Sequence, residues 1–413
     1  LESAQDKICV HAWKSLYVTP LGEAGMCCIQ FPLLTRITPK TDIKNIRKDK
    51  LWNDIRESML KGEEHPFCVN CWNTEKENNL ESYRQNFNKR YVEEYNLIKR
   101  KHVSTLLNNH LLYIDIRQTN VCNMKCLSCG PVYSSLWGAE ADPQYRVKYS
   151  NGELYDDVIN KNGVLSVKNN QFEDYVISNI QTIRDIYFAG GEPMLNSLHW
   201  SIMKELDRQL RYDVKIYYNT NLFKLNYKGQ HVFDYWDKFT NWFAGCSIDA
   251  IGARGEYVRT GTKWNIIDKH LKLMQKKYPL NFDIDTTISA LSVAGLKELM
   301  LYCEQLRVKH RWGNTVITPS HLHVNILPKN YRRQVFNEIE KLVNNKIKNN
   351  DKDVNDSDSL KSFLNHFKFV MLSTDATDKD KHKFKSFIEY KDKTRNTDIF
   401  TSCPEFKDLW PKI

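Results

Sequence analysis

Cys122, Cys126 and Cys129 fall in the stretch VCNMKCLSCGP with the spacing C-x3-C-x2-C. Thiolates bind soft metals, and a closed zinc site or an ordinary iron–sulfur cluster takes four protein ligands. No fourth Cys or His lies nearby. Four readings of the triad compete: a disulfide pair, a zinc site completed from afar, inert buried thiols, or a [4Fe–4S] cluster held by three thiolates. In the last, one iron keeps an open position, and an open position on a metal is where substrate or cofactor binds. The odd count of eleven cysteines, most of them clustered, speaks against a disulfide framework and for metal or redox chemistry in a reducing cytosol.

Other groups with chemical potential follow in order. Gly190, Gly191, Glu192 and Pro193 come directly after the apolar run IYFA. Glycines at a strand end let backbone approach a ligand closely, although GGEP alone reads equally as a turn. Asn221 ends YYNTN, Ser247 and Asp249 lie in CSIDA, and Arg259 lies in GEYVRTGTKW. A guanidinium suits a carboxylate because it donates two parallel hydrogen bonds. Thr287, Ser289 and Asn325 are expected near the same mouth. Upstream lie Cys9, Cys27, Cys28, Cys68 and Cys71, the last two forming a C-x2-C knuckle. Four of these five can close a metal site. The adjacent Cys27 and Cys28 cannot easily both reach it, and Cys27 is the preferred member. Zinc and iron both fit such a donor set.

The elements that must position these groups are alternating strands and helices. Strand-like runs occur at LLYIDIR, RDIYFAG, DVKIYYN, WFAGCSID, FDIDTTIS and HLHVNIL, separated by helical patterns such as SLHWSIMKELDRQL and WNIIDKHLKLMQKK. Such an order predicts parallel strands with crossover helices, as an open sheet or a partial α/β barrel. The cysteine triad, GGEP and the later polar residues then fall at C-terminal strand ends, the face that carries chemistry in such folds. The expected division is a cysteine-bearing region over 1–108, the α/β region over 109–328, and a C-terminal extension over 329–413. The first region holds an amphipathic helix at LWNDIRESMLKG and a second through LESYRQNFNKRYVEEYNLIKR. The extension opens on a polar linker, NNKIKNNDKDVNDSDS, and continues with helices at LKSFLNHFKFVML and HKFKSFIEYKDKTR.

The chain of 413 residues carries a formal charge of +10. Its basic residues are interleaved with acids, with no arginine-rich arm, so nucleic acid is not the expected partner. No window approaches about 18 consecutive apolar residues, so no membrane span is expected. The start shows no secretory pattern, and a cytoplasmic location is expected.

The ordered pair of C-x3-C-x2-C and GGEP, one strand–helix unit apart, resembles the radical S-adenosylmethionine (SAM) superfamily. The N-terminal stretches CVHAWKSLYVTPLGEAGMCC and NIRKDKLWNDIRESMLKGEEHPFCVNCWNTE resemble SPASM/twitch auxiliary-cluster domains, here placed before the barrel rather than after it. The resemblance implies a partial (β/α)6 TIM-like barrel, a small N-terminal cysteine-rich twitch-like iron–sulfur domain and a helical C-terminal extension. It implies a SAM-binding [4Fe–4S] cluster on Cys122, Cys126 and Cys129. A second, auxiliary [4Fe–4S] cluster would sit on Cys9, Cys27, Cys68 and Cys71. SAM would be held by Gly190, Gly191, Glu192, Asn221, Ser247, Asp249 and Arg259. The reaction implied is reductive cleavage of SAM to a 5′-deoxyadenosyl radical, with a flavodoxin- or ferredoxin-type reductant. A peptide or protein is the first substrate class implied, and a sugar or other small molecule the second. A non-catalytic iron–sulfur or zinc protein that binds nucleic acid is the rival from another class. No catalytic acid or base is assigned.

Overall fold

The computed structural model describes residues 6–77, 81–100, 110–140, 148–152, 163–348 and 357–413. The fold is mixed α/β with a large parallel sheet. The chain divides into two compact units. Unit 1 comprises residues 1–122, 131–218 and 226–242, and unit 2 comprises 123–130, 219–225 and 243–413.

In unit 1 the strands are β1 (Ser15–Val18), β2 (Glu23–Gly25), β3 (Thr35–Arg36), β4 (Tyr113–Ile116), β5 (Asp185–Phe188) and β6 (Lys215–Thr220). Their order is β3-β2-β1-β4-β5-β6. The ladders from β1 through β4 and β5 to β6 are parallel, while β1-β2 and β2-β3 are antiparallel. Every residue of β1 and β4 is buried, as strands of a parallel sheet covered on both faces are. A short antiparallel pair, β7 (Asn226–Tyr227) and β8 (Gln230–His231), stands apart.

The first expected helix is α1 (Lys50–Lys61). Asp49 caps its first turn by accepting from Leu51 N, and Gly62 ends it at φ +79°. Trp52, Ile55 and Met59 share its buried stripe, each contributing roughly 1.5–3 kcal/mol of apolar burial. Next comes α2 (Val69–Glu77). The single helix expected over the stretch to Arg100 is instead two, α3 (Tyr83–Arg90) and α4 (Val92–Lys99). Ser82 and Gln85 cap α3 reciprocally. Tyr91 breaks the run at φ −116°, ψ 51°, where its buried hydroxyl donates to Asp185 on β5. A tertiary hydrogen bond thus overrides the local helical pattern. Between β5 and β6 runs α5 (Ser197–Arg208), buried through Leu198, Trp200, Ile202, Met203 and Leu206.

In unit 2, β9 (Trp242–Ser247), β10 (Phe282–Ile288) and β11 (His310–Thr315) pair in parallel. Helices α6 (Gly252–Val258) and α7 (Trp264–Lys277) precede β10, and α8 (Leu296–Leu306) precedes β11. The parallel strand after β10 is therefore HRWGNT, not the expected HLHVNIL. The latter forms two 3-10 turns, Ser320–Leu322 and Val324–Ile326. Pro319 and Pro328 bracket it, and its buried apolar side chains cap the core rather than extend a ladder. Asn325 correspondingly sits in a turn and donates to Thr374 O.

The extension carries α9 (Lys329–Lys348), α10 (Ser357–Met371) and α11 (Asp378–Arg395). The first part of the expected linker, Asn344 to Lys348, continues α9, and residues 349–356 lie outside the described residues. Arg332 of α9 is fully buried and donates to Leu327 O, Met371 O and Ser373 O while pairing with Asp375. Cys246, Cys303 and Cys403 are buried core residues. Among the described residues, no helix is long and apolar enough to cross a membrane.

Candidate functional site

Four thiols meet in unit 1. Cys9, Cys27, Cys68 and Cys71 line one recess, together with His11, Gln30, Met59, Asn70, Tyr83 and Arg84. Local structure fixes each one. Arg84 donates to Ile8 O, and Asn88 both donates to Ile8 O and accepts from Val10 N, so the backbone on either side of Cys9 is clamped. Gln30 accepts from Met26 N and donates to Pro32 O, which shapes the turn that carries Cys27. Cys68 ends a 3-10 turn and Cys71 lies in the first turn of α2, where the helix N-terminus favours a thiolate. Asn70 between them donates to Ile29 O.

Burial dominates the electrostatics of this recess. Desolvation pushes the Cys9 and Cys27 thiols well above their ordinary value, and neighbouring thiols push further. Desolvation also takes Cys68 up to about 12, despite the opposing charge of Arg84. Such thiols stay protonated until a metal displaces the protons. His11 is 1% exposed, and its Nδ1 bonds Ser15 Oγ at 2.8 Å. Its Nε2 is buried without a hydrogen-bond partner. Among the described residues, no group of three or more His, Cys, Asp or Glu side chains is placed to hold a single metal ion.

Cys28 does not line the recess. Burial raises its thiol, Asp115 adds to that, and Arg117 and Tyr83 oppose it. Asp115 and Arg117 form a two-point ion pair at 2.9 and 3.0 Å. The Arg117 guanidinium lies against the rings of Tyr17 and Tyr187.

The GGE turn and the entry to the cysteine motif are packed together within unit 1. Gly191 N donates to Thr119 O, and Glu192 N to Val121 O at 2.8 Å. A Cβ on Gly191 would stand 2.3 Å from Val121 O and 2.6 Å from Asn120 C, and Gly190 holds φ +105° against the backbone of Arg117. Glycine is required here because backbone meets backbone. Glu192 is 2% exposed and its carboxylate accepts from Met194 N. Cys122 N donates to Ser135 Oγ.

Unit 2 holds the rest of the motif. Lys125 N donates to Thr260 O and Leu127 N to Val258 O, both at 2.8 Å, so the loop runs along 258–260. Gly261, at φ +106°, leaves room for Asn123 O, which a Cβ would approach to 2.7 Å. Asn221 donates to Asn123 Oδ1 at 3.0 Å, while Asn123 Nδ2 is buried without a hydrogen-bond partner. Asp249, 1% exposed, accepts from Thr287 N and from Arg259 Nη2 at 3.0 Å. Arg259 Nε lies 2.9 Å from the other carboxylate oxygen, close enough for an ion pair but off hydrogen-bond alignment. Arg259 Nη1 faces Cys126 Sγ at 3.9 Å. Desolvation raises both thiols, Cys129 to about 12, with Arg259 opposing. Ser247 stands opposite Asp285 in the β9–β10 ladder.

Of the residues expected from sequence, the four upstream cysteines share one recess. Asn221, Asp249 and Arg259 surround the loop of Cys126 and Cys129. The sequence reading missed His11, Arg84, Asn123, Gly261 and Arg395. Only Gly261, in RTGT, carried a local signal.

Neither a protein-family model nor a curated protein matches the chain. Among solved structures, the chain is similar to native anSMEcpe with bound AdoMet and Cp18Cys peptide at 17% identity and TM-score 0.38, covering 58% of this chain and 61% of that one. It is similar to Streptococcus suis SuiB bound to S-adenosylmethionine at 11% identity and TM-score 0.34, covering 70% and 61%. A third likeness, to TYW1 with a lysine-pyruvate adduct bound, has 15% identity and TM-score 0.26, covering 49% and 63%. These neighbours are radical SAM enzymes. The chain spans about half the length of native anSMEcpe with bound AdoMet, 52%. All of these TM-scores lie below 0.5.

Proposed function

We propose that the chain is a radical SAM enzyme that abstracts hydrogen from a peptide or protein substrate. One observation carries the reading: the GGE turn after β5 is hydrogen-bonded and packed, glycine on backbone, against the segment that enters C-x3-C-x2-C. Two motifs that resemble one superfamily in sequence are thus neighbours in space. The donor chemistry fits the implied group. Three thiols with no fourth ligand suit a [4Fe–4S] cluster with one open iron, and Asn123 Nδ2 on the same loop lacks a partner. When bound, that cluster and SAM supply reductive cleavage of the sulfonium carbon–sulfur bond, giving methionine and a 5′-deoxyadenosyl radical.

The chain's own residues bind, orient and shield. Cys122, Cys126 and Cys129 hold the cluster, and Gly190, Gly191 and Glu192 hold the methionyl amine. Asn221, Ser247, Asp249 and Arg259 complete the SAM contacts. Arg259, fixed by Asp249, presents Nη1 toward Cys126 and offsets the negative charge of the ligated thiolates.

In the N-terminal region, residues 1–108, Cys9, Cys27, Cys68 and Cys71 hold an auxiliary [4Fe–4S] cluster. The four thiols line one recess, a donor set that suits a four-thiolate cluster and a zinc ion alike, and the resemblance of the N-terminal stretches to twitch domains favours iron. The peptide or protein substrate rests on the twitch-like cysteine pattern and is an analogy.

Anaerobic reconstitution tests the reading. The expected outcome is about eight irons per chain, two clusters of four, and 5′-deoxyadenosine from SAM under strong reductant. Iron-loaded protein that releases no 5′-deoxyadenosine overturns it.

A further inference from the structure

The C-terminal extension ends its third helix against the cysteine loop within unit 2. Arg395, the last residue of α11, donates from Nη1 to Lys125 O at 2.7 Å and lies 3.4 Å from Thr260 Oγ1. Lys125 O belongs to the peptide group whose nitrogen is that of Cys126. The loop is already tied to Val258 and Thr260 by the amides of Leu127 and Lys125. The Arg395 guanidinium closes the remaining side of that ladder.

The helix end is itself fixed. Asn396 takes the left-handed conformation at φ 52° and its N–H returns to Asp392 O. Asp392 accepts from Thr397 Oγ1 and Ile399 N. Downstream, Glu405 grips Arg254 of α6 through two contacts of 2.7 Å. The guanidinium is therefore delivered to the loop from a braced position, and its charge acts on both Cys126 and Cys129.

We infer that Arg395 is a positioning residue for the SAM-binding cluster, clipping the Lys125–Cys126 peptide to Thr260 and supplying a second cation beside Arg259. This rests on the cluster assignment above. It gives the C-terminal extension a role: the extension locks the loop that presents two of the three thiolates. A cation near a cluster stabilises its reduced form, so Arg395 also raises the potential at which the cluster accepts an electron.

Reconstituted Arg395→Gln and Arg395→Lys test the inference against the wild type. The readouts are iron retention against EDTA and the potential of the spectroscopic signal that responds to added SAM. Arg395→Gln is expected to lose the SAM-responsive iron about 10- to 100-fold faster, the usual cost of an outer-shell partner, and to shift that signal to more negative potential. Arg395→Lys keeps the charge and loses the fork, so it is expected to hold the potential near wild type while retaining iron poorly. If Arg395→Gln fails to fold by circular dichroism, Thr260→Val, which removes the side-chain acceptor, is expected to speed iron loss in the same direction. Wild-type retention and potential in the folded variants overturn the inference. A wild type with no SAM-responsive iron signal overturns the cluster assignment instead.

Discussion

Replacing Gly191 with Ala should destabilise the protein before any cofactor is bound. The added Cβ would meet Val121 O at 2.3 Å, Asn120 C at 2.6 Å and Asn120 O at 2.8 Å. Ordinary contact begins near 3.4 Å, so the backbone must separate by about 1 Å (3.4 − 2.3 = 1.1). No flexible side chain is available to yield. Overpacking of this kind costs about 1–3 kcal/mol. The separation also stretches the bonds from Gly191 N to Thr119 O and Glu192 N to Val121 O, at about 1 kcal/mol each. The expected loss is about 4 kcal/mol. At about 2.1 cal/mol/K per residue, cooperative unfolding of the whole chain would turn that into a Tm drop of about 4–5 °C. Gly130 provides the contrast, because a Cβ there meets nothing within 4 Å. Thermal unfolding of the apo proteins should show Gly130→Ala within about 0.5 kcal/mol of wild type and Gly191→Ala clearly below it. If apo Gly191→Ala unfolds with the wild type, the glycine is not required by backbone packing, and the steric account of the GGE turn is wrong.

Iron analysis separates Cys27 and Cys28: if the proposed auxiliary cluster forms, Cys27→Ala should lose its iron and Cys28→Ala should keep it, because of the two only Cys27 lines the recess. Glu405→Ala strands Arg254, whose side chain is 14% exposed, and should cost roughly 3 kcal/mol in urea unfolding; no change would show that the pair does not brace the extension. His199 is fully buried beside Tyr218 OH, and burial lowers its pKa to about 3. The unfolded chain then binds the proton that the folded chain refuses, so stability should be intact above pH 6.5 and decline as pH falls toward 3. His199→Gln should remove about one proton's worth of that slope, read from Tm against pH; an unchanged slope would refute the assignment.

Elements with a strong internal period were legible. WNIIDKHLKLMQKK is a helix from its first residue to its last, and Asp49 and Gly62 bound α1 as capping chemistry requires. Five of the six expected strand runs coincide, to within two residues at the ends, with the parallel strands β4, β5, β6, β9 and β10. The sixth was misplaced because HLHVNIL has the alternation of a strand, whereas HRWGNT has little apolar content. Local pattern cannot say which segment finds a ladder partner. The helix break at Tyr91 was hidden for the same reason, since its partner Asp185 lies far along the chain. At the site, spacing alone flagged the cysteines and GGE. Cys27 was preferred over Cys28 in sequence only because adjacent thiols cannot easily both reach one site; that Cys27 lines the recess depends on side-chain direction, which no spacing encodes in a turn. Asn123 was invisible because its partner Asn221 lies far along the chain, and Arg395 because it touches a backbone carbonyl, which every residue has.

The pairing of β1 with β4 has a consequence for synthesis. Ser15 lies opposite Tyr113, 98 positions later (113 − 15). The ribosome makes the earlier strand first, and at about 5–20 residues per second its partner follows some 5–20 s behind. During that interval β1 has no parallel neighbour, and a non-local pairing of this span forms slowly. Cys9 precedes β1, and Cys27, Cys68 and Cys71 emerge within the same interval. A newborn chain therefore carries the four thiols of the recess before the sheet that supports them exists. If they hold the proposed iron cluster, iron delivery and oxygen exposure during those seconds would decide how much of the protein matures.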